Sequence, residues 1–168
     1  MQRVFIAATA ALMVSACNEQ APAQKPVEAP KVLAAGQYEG TWKVDSIRSV
    51  DRTTPATKLK QDATGPATGC VAADGSIDAA LFAEGEDKCT IANPYVRNGR
   101  IGMELTCARK GQAGEVRESV SGTFAGDSID ADVSTTTYLA GTGDYAMSRK
   151  IEVKRVGECA PAKPEKAA

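Results

Sequence analysis

Residues 89–107 read CTIANPYVRNGRIGMELTC. Asn98-Gly99 marks a hairpin turn, because both residues tolerate the positive φ that the twist of paired strands demands. Loop length then sets which residues face each other. A two-residue loop pairs Ile91 with Thr106 and puts Cys89 and Cys107 on opposite faces. A three-residue loop, Arg97-Asn98-Gly99 with Gly99 left-handed, shifts the register by one. It pairs Ile91 with Leu105, Tyr95 with Ile101 and Cys89 with Cys107, and sets Asn93 against Met103. The apolar residues then share one face. Because a slip of one residue scatters them, burial selects the three-residue loop. That register predicts a cross-strand disulfide between Cys89 and Cys107, and by elimination a second between Cys70 and Cys159. Four cysteines allow three connectivities, and the main rival is Cys70–Cys89 with Cys107–Cys159.

The same period of two extends outward from this hairpin. Tyr38, Trp42 and Val44 share a face. Val116, Val120 and Phe124 alternate with Arg117, Ser119, Ser121 and Thr123. Ile129, Ala131, Val133 and Leu139 alternate with Asp130, Asp132, Ser134 and Tyr138. Tyr145, Met147, Ile151 and Val153 alternate with Ser148, Lys150, Glu152 and Lys154. Each set reads as a strand with one wet and one dry face. Turn signals separate them at Ala125-Gly126-Asp127 and Gly141-Thr142-Gly143-Asp144. Asp78 to Glu84 reads as a short helix, capped by Asp74 or Ser76. The expected fold is mainly β: a single antiparallel curved sheet or partly open barrel or meander, with one short helix and two disulfides.

The ends of the 168-residue chain carry a different kind of information. Residues 1–16 read as a lipoprotein signal peptide, with Arg3, an apolar run from Val4 to Val14, and the small residues Ser15 and Ala16. The run is shorter than the roughly 20 residues that span a bilayer. Val14-Ser15-Ala16-Cys17 looks like a lipobox, in which the cysteine takes a diacylglyceryl group and becomes the new N-terminus. Residues 17–35 then form the lipidated cysteine and a disordered Pro/Ala-rich linker. Residues 36–159 form a disulfide-stapled β domain, and residues 160–168 a disordered tail. Asn18, in place of an aspartate, points to the outer membrane facing the periplasm. The expected partner is the membrane, through the N-terminal lipid, and the expected state is a monomer.

A formal charge of −1 gives no electrostatic case for nucleic acid. The sequence has no histidine, which removes Ser-His and Cys-His nucleophiles and histidine metal sites. No phosphate-binding, dinucleotide or Gly-x-Ser-x-Gly motif is present, and no cofactor or metal is expected. Asp127, Asp130 and Asp132 read as solvated charges, as do Glu84, Glu86 and Asp87 after the helix. Arg149 and Arg155 on the last strand read as surface residues. Candidate contacts for a protein or small apolar ligand are Trp42, Tyr38, Tyr95, Asn93, Arg97 and Arg100. The four rings Trp42, Tyr38, Tyr95 and Tyr145 are expected on the dry face, as core or as the lining of a curved sheet's cavity.

Gly40-Thr41-Trp42, Cys70 before a short helix, Cys89 and Cys107 around an Asn-Gly turn, and the closing Arg155-Val156-Gly157-Glu158-Cys159 together resemble a bacterial envelope family filed as domain of unknown function 3617. The resemblance covers about residues 36 to 160. It implies a secreted or lipid-anchored protein with one small β-rich domain and four cysteines, and it brings no assigned activity. Residues 51–69 depart from it in being unusually polar, and the proline expected just before the first glycine is missing. The sequence thus points to a non-enzymatic envelope lipoprotein acting as a binding or envelope-maintenance module. The alternatives are an inhibitor of a host hydrolase such as lysozyme, working through the Arg97–Arg100 tip, and a carboxylate-only hydrolase.

Overall fold

The computed structural model describes residues 32–141 and 143–159. The signal peptide, Cys17, most of the linker and the C-terminal tail lie outside the described residues. Seven strands run β1 (Gly36–Ser49), β2 (Thr64–Val71), β3 (Lys88–Arg97), β4 (Arg100–Ala108), β5 (Gly114–Ala125), β6 (Ser128–Leu139) and β7 (Tyr145–Gly157). They form one antiparallel sheet in the order β2-β1-β7-β6-β5-β4-β3, curled into a half-barrel. Strands β3 to β7 are a meander joined by short turns, and β1 then pairs with β7 along almost its whole length.

Strict alternation puts the core on the concave face. On β6, Ile129, Ala131 and Val133 point inward while Asp130, Asp132 and Ser134 face water. Leu105, Val120, Ile129 and Ile151 from four neighbouring strands join one buried cluster. A β-bulge between Val44 and Ser46 bends β1. Beyond it Val44, Tyr145 and Met147 form a second, smaller cluster. The Gly40-Thr41-Trp42 motif has a packing reason. A Cβ at Gly40 would run into the backbone of Glu152 and Val153 on β7, so the two strands approach closely because the glycine is bare. Trp42 pairs across the sheet with Gly65, and its ring covers the bare backbone there.

The polar stretch 51–69 resolves into a loop followed by β2, an edge strand that carries Pro66. Proline is tolerated at an edge because no neighbour needs its missing N–H. From β2 the chain crosses the open gap of the half-barrel to β3 at the other edge. The crossing buries Leu81 and Phe82 and packs on both edge strands. The expected helix over Asp78–Glu84 is only one 3₁₀ turn, Ala79–Leu81. Its cap is Asp78, which accepts from the Ala80 N–H at 3.0 Å, rather than Asp74 or Ser76. Asp74 instead accepts from Ser76 in the preceding turn. A segment that must bridge two edges has no room for further helical turns.

Both predicted disulfides, Cys89–Cys107 and Cys70–Cys159, are present. The second ties β2 to the segment that follows β7. The hairpin register is correct at its base and wrong at its tip. Cys89 pairs with Cys107 and Ile91 with Leu105, as expected. The turn, however, has two residues, Asn98 and Gly99 at φ 53° and 70°, and Arg97 faces Arg100. A bulge between Ala92 and Tyr95 absorbs the difference of one residue, with Asn93 left-handed at φ 50°. Tyr95 therefore pairs with Gly102 instead of Ile101, and Val96 takes the inward place opposite Ile101. Tyr95 is 40% exposed, and Asn93 is exposed rather than set on the dry face against Met103. A two-residue turn matches strand twist and a bulge restores the face, so both rules hold locally.

Candidate functional site

A cleft of about 730 Å³ opens at the mouth of the half-barrel. Three segments build it: the loop after β1, the residues before β3, and the turn after β4. The loop after β1 is organised by Asp51. Its carboxylate accepts from the N–H of Thr53 at 2.9 Å, of Gly143 at 2.7 Å and of Asp144 at 3.1 Å. These bonds, with the Thr53 hydroxyl foremost, hold the Asp51 carboxyl well below the usual carboxylate range. The loop folds inward from there, and the Ala56 N–H bonds the Gly143 carbonyl at 2.9 Å.

Arg109 sits where the three segments meet. Its guanidinium grips Asp87 with Nε at 3.0 Å and Nη2 at 2.7 Å, and Nη1 donates to the Ala56 carbonyl at 3.1 Å. Nη2 also lies 3.0 Å from Glu84. The two Glu84 oxygens accept from Thr57 Oγ1 at 2.6 Å and Tyr145 OH at 2.5 Å. Burial opposes the Arg109 charge, but Asp87 and Glu84 outweigh it and raise its pKa. Burial and then Glu84 push the Tyr145 hydroxyl up as well. Glu84 and Asp87 are therefore not the solvated loop residues that the sequence suggested. Glu84 is buried, and both acids are consumed in tying the loops together.

Beneath this layer lies a second ion pair. Arg149 is 1% exposed, which corrects its reading as a surface residue. Its Nη2 donates to Glu118 Oε1 at 2.7 Å and to the Phe82 carbonyl at 2.6 Å, and Nη1 reaches the Ala83 carbonyl at 3.3 Å. Thr135 Oγ1 adds a bond to Glu118 Oε1 at 3.2 Å. Glu118 Oε2 and Arg149 Nε have no hydrogen-bond partner among the described residues. Burial, which outweighs the attraction of Arg149, pushes Glu118 up to about 7.

Of the six residues expected as ligand or partner contacts, Trp42 alone lines this cleft, half-buried, near Pro55 and Leu59. Tyr38 is fully buried, and its hydroxyl donates to the Ala34 carbonyl at 2.8 Å, so it belongs to the core. Tyr95 and Arg97 stack on the outer face, with the guanidinium 4.7 Å from the ring centre. Arg100 and Asn93 are exposed on the same hairpin, away from the cleft. Arg155 is partly buried and donates to the Ala35 carbonyl at 2.6 Å, so it is more than a surface charge. The site residues missed were Glu84, Asp87, Arg109, Glu118 and Arg149. Parity could have found two of them. Glu118 lies between Val116 and Val120, and Arg149 between Met147 and Ile151, all on the dry face.

Among the described residues no helix is long and apolar enough to cross a membrane. No curated protein and no solved structure matches the chain. Residues 33–159 match the model of a family described as protein of unknown function, DUF3617, and the chain belongs to that family.

Proposed function

We propose that this chain is a non-enzymatic envelope lipoprotein, tethered through Cys17, whose half-barrel binds a small ligand in the cleft beside Trp42. The cleft itself carries the reading. It is large enough for a small molecule, it has an apolar wall of Trp42, Pro55 and Leu59, and two of its three acids, Glu84 and Asp87, are already bonded, which leaves Glu86 alone. Hydrolysis with carboxylates needs one acid free to protonate and another free to attack or to activate water. Glu84 and Asp87 are instead bonded to Arg109, Tyr145 and Thr57. The lipobox and the linker support a place on the periplasmic face of the outer membrane. Two or three acyl chains, at roughly 0.8 kcal/mol per buried methylene, make such an anchor slow to release.

Trp42 is the single tryptophan of the chain, so its fluorescence reports on the cleft directly. Titration with anilinonaphthalene sulfonate should give one saturable site that quenches Trp42 by energy transfer. Leu59→Glu should abolish that site while leaving the fold intact by circular dichroism. Binding untouched by Leu59→Glu would remove the cleft from consideration. The tether is tested separately, by the intact mass of membrane-extracted protein, which should show an acylated Cys17.

A further inference from the structure

Glu118 has a neighbour that its ion pair with Arg149 does not explain. A carboxylate oxygen of Glu118 and the sulfurs of Cys89 and Cys107 all lie within 4.8 Å of one another. The two sulfurs differ in access. Cys107 is 2% exposed, whereas Cys89 is partly exposed on β3, whose far edge has no strand beside it among the described residues. Among the described residues the buried Glu118 Oε2 has no hydrogen-bond partner, so it has a lone pair or a proton unspent. Among the described residues no carboxylate oxygen stands in this way beside Cys70–Cys159.

We propose that Cys89–Cys107 is a thiol–disulfide exchange site in which Glu118 gives its proton to the departing Cys107 sulfur. The co-reactant is a dithiol. Its thiolate attacks the accessible Cys89 sulfur along the S–S axis, forming a mixed disulfide and breaking the Cys89–Cys107 bond. The electron pair leaves on Cys107 Sγ, which takes the proton from the neutral Glu118 carboxyl. Glu118 becomes a carboxylate, and Arg149 at 2.7 Å and Thr135 at 3.2 Å stabilise it. The second thiol of the reagent, as its thiolate, then attacks its own sulfur in the mixed disulfide. Cys89 is released and takes a proton from water. Two electrons pass from the dithiol to the protein, the dithiol ends as its disulfide, and the reverse sequence recloses the hairpin. The other charged groups facing Glu118 are Glu84 and Asp87 from the crossing segment, and both favour its neutral form.

The test uses dithiothreitol on the folded chain starting at residue 18, with timed alkylation and peptide mass mapping. Cys89–Cys107 should open before Cys70–Cys159. Its rate, divided by the thiolate concentration of the reagent, should fall by about tenfold between about pH 6 and pH 8 as the proton donor is lost. Glu118→Gln should give a slow rate that no longer varies with pH. Should that variant fail to fold, the pH profile of the unaltered chain decides. A flat profile, or simultaneous opening of both bonds, would make the pair a plain staple and overturn the proposal. So would a Glu118→Gln rate that is fast at every pH, since the carboxylate would then only repel thiolates.

Discussion

Arg149 Nη2 meets Glu118 Oε1 at 2.7 Å, joining β7 to β5 across β6 inside the half-barrel. Neither side chain is more than 1% exposed. Such a pair gains Coulomb energy but loses the hydration of both ions, and among the described residues two of its polar atoms have no partner. Removing one partner strands the other in the core. At about pH 8, where Glu118 is ionised, Arg149→Met or Glu118→Leu alone should therefore cost about 3–5 kcal/mol. The double variant should cost less than either single one, because no charge is left buried. Urea unfolding of the four proteins reads this directly. A double variant as unstable as the worse single one would mean that the pair adds net stability.

The same residue gives the folded chain a pH dependence. Burial pushes Glu118 up to about 7, against an ordinary value of 4.5. Between those values the folded chain holds a proton that the unfolded chain has released. The contribution of Glu118 is complete below about pH 4.5 and is lost as pH rises through about 7. At 1.36 kcal/mol per pKa unit the loss is about 3 kcal/mol. Asp51 acts in the opposite direction. Its carboxyl is held well below the usual range, so its contribution is present at neutral pH and disappears in acid. The urea midpoint should thus fall from pH 5 to pH 8, and Glu118→Gln should flatten the fall. A midpoint that rises over this window would show Arg149 winning over burial.

The strands from β4 onward were legible because their side chains obey one simple rule. Ile129, Ala131 and Val133 point in and Asp130 and Asp132 point out, so period and burial agree. The disulfides followed from the same rule, since only one register put Cys89 and Cys107 together on the inner face. The rule hid the site for a related reason. Charged residues were assigned to water, yet Glu118 and Arg149 occupy inward positions and satisfy each other across an intervening strand. A pair 31 residues apart has no local signature. Arg109 with Glu84 and Asp87 was illegible for a second reason. Their meeting depends on how three loops fold over the mouth of the half-barrel, and loop paths leave no period to read.

The two disulfides should contribute unequally. Loop closure entropy grows with the length of chain enclosed, and the separations are 18 residues for Cys89–Cys107 and 89 for Cys70–Cys159. The chain-entropy model then gives about 3 kcal/mol for the first and about 5 kcal/mol for the second. Cys70→Ser with Cys159→Ser should lower the urea unfolding free energy more than Cys89→Ser with Cys107→Ser. The reverse order would mean that the hairpin bond does more than restrain the unfolded chain.

The bulge at Asn93 makes a prediction about register that a point substitution cannot. Ala92 pairs with Glu104 and Tyr95 with Gly102, so Asn93 and Pro94 together face Met103. Deleting Asn93 leaves Pro94 opposite Met103 and every other pair unchanged, including Cys89 with Cys107. The left-handed Asn93, at φ 50°, is removed as well. The deletion should therefore shift stability by no more than about 1 kcal/mol. Its cost should appear elsewhere. A bulge twists an edge strand away from the geometry that recruits a second chain, and β3 is an edge strand of the sheet among the described residues. The shortened protein should keep its Cys89–Cys107 peptide under non-reducing digestion and should self-associate more readily in light scattering. Loss of that peptide would mean that the bulge, and not the burial of Ile91 and Val96, sets the pairing of the hairpin base.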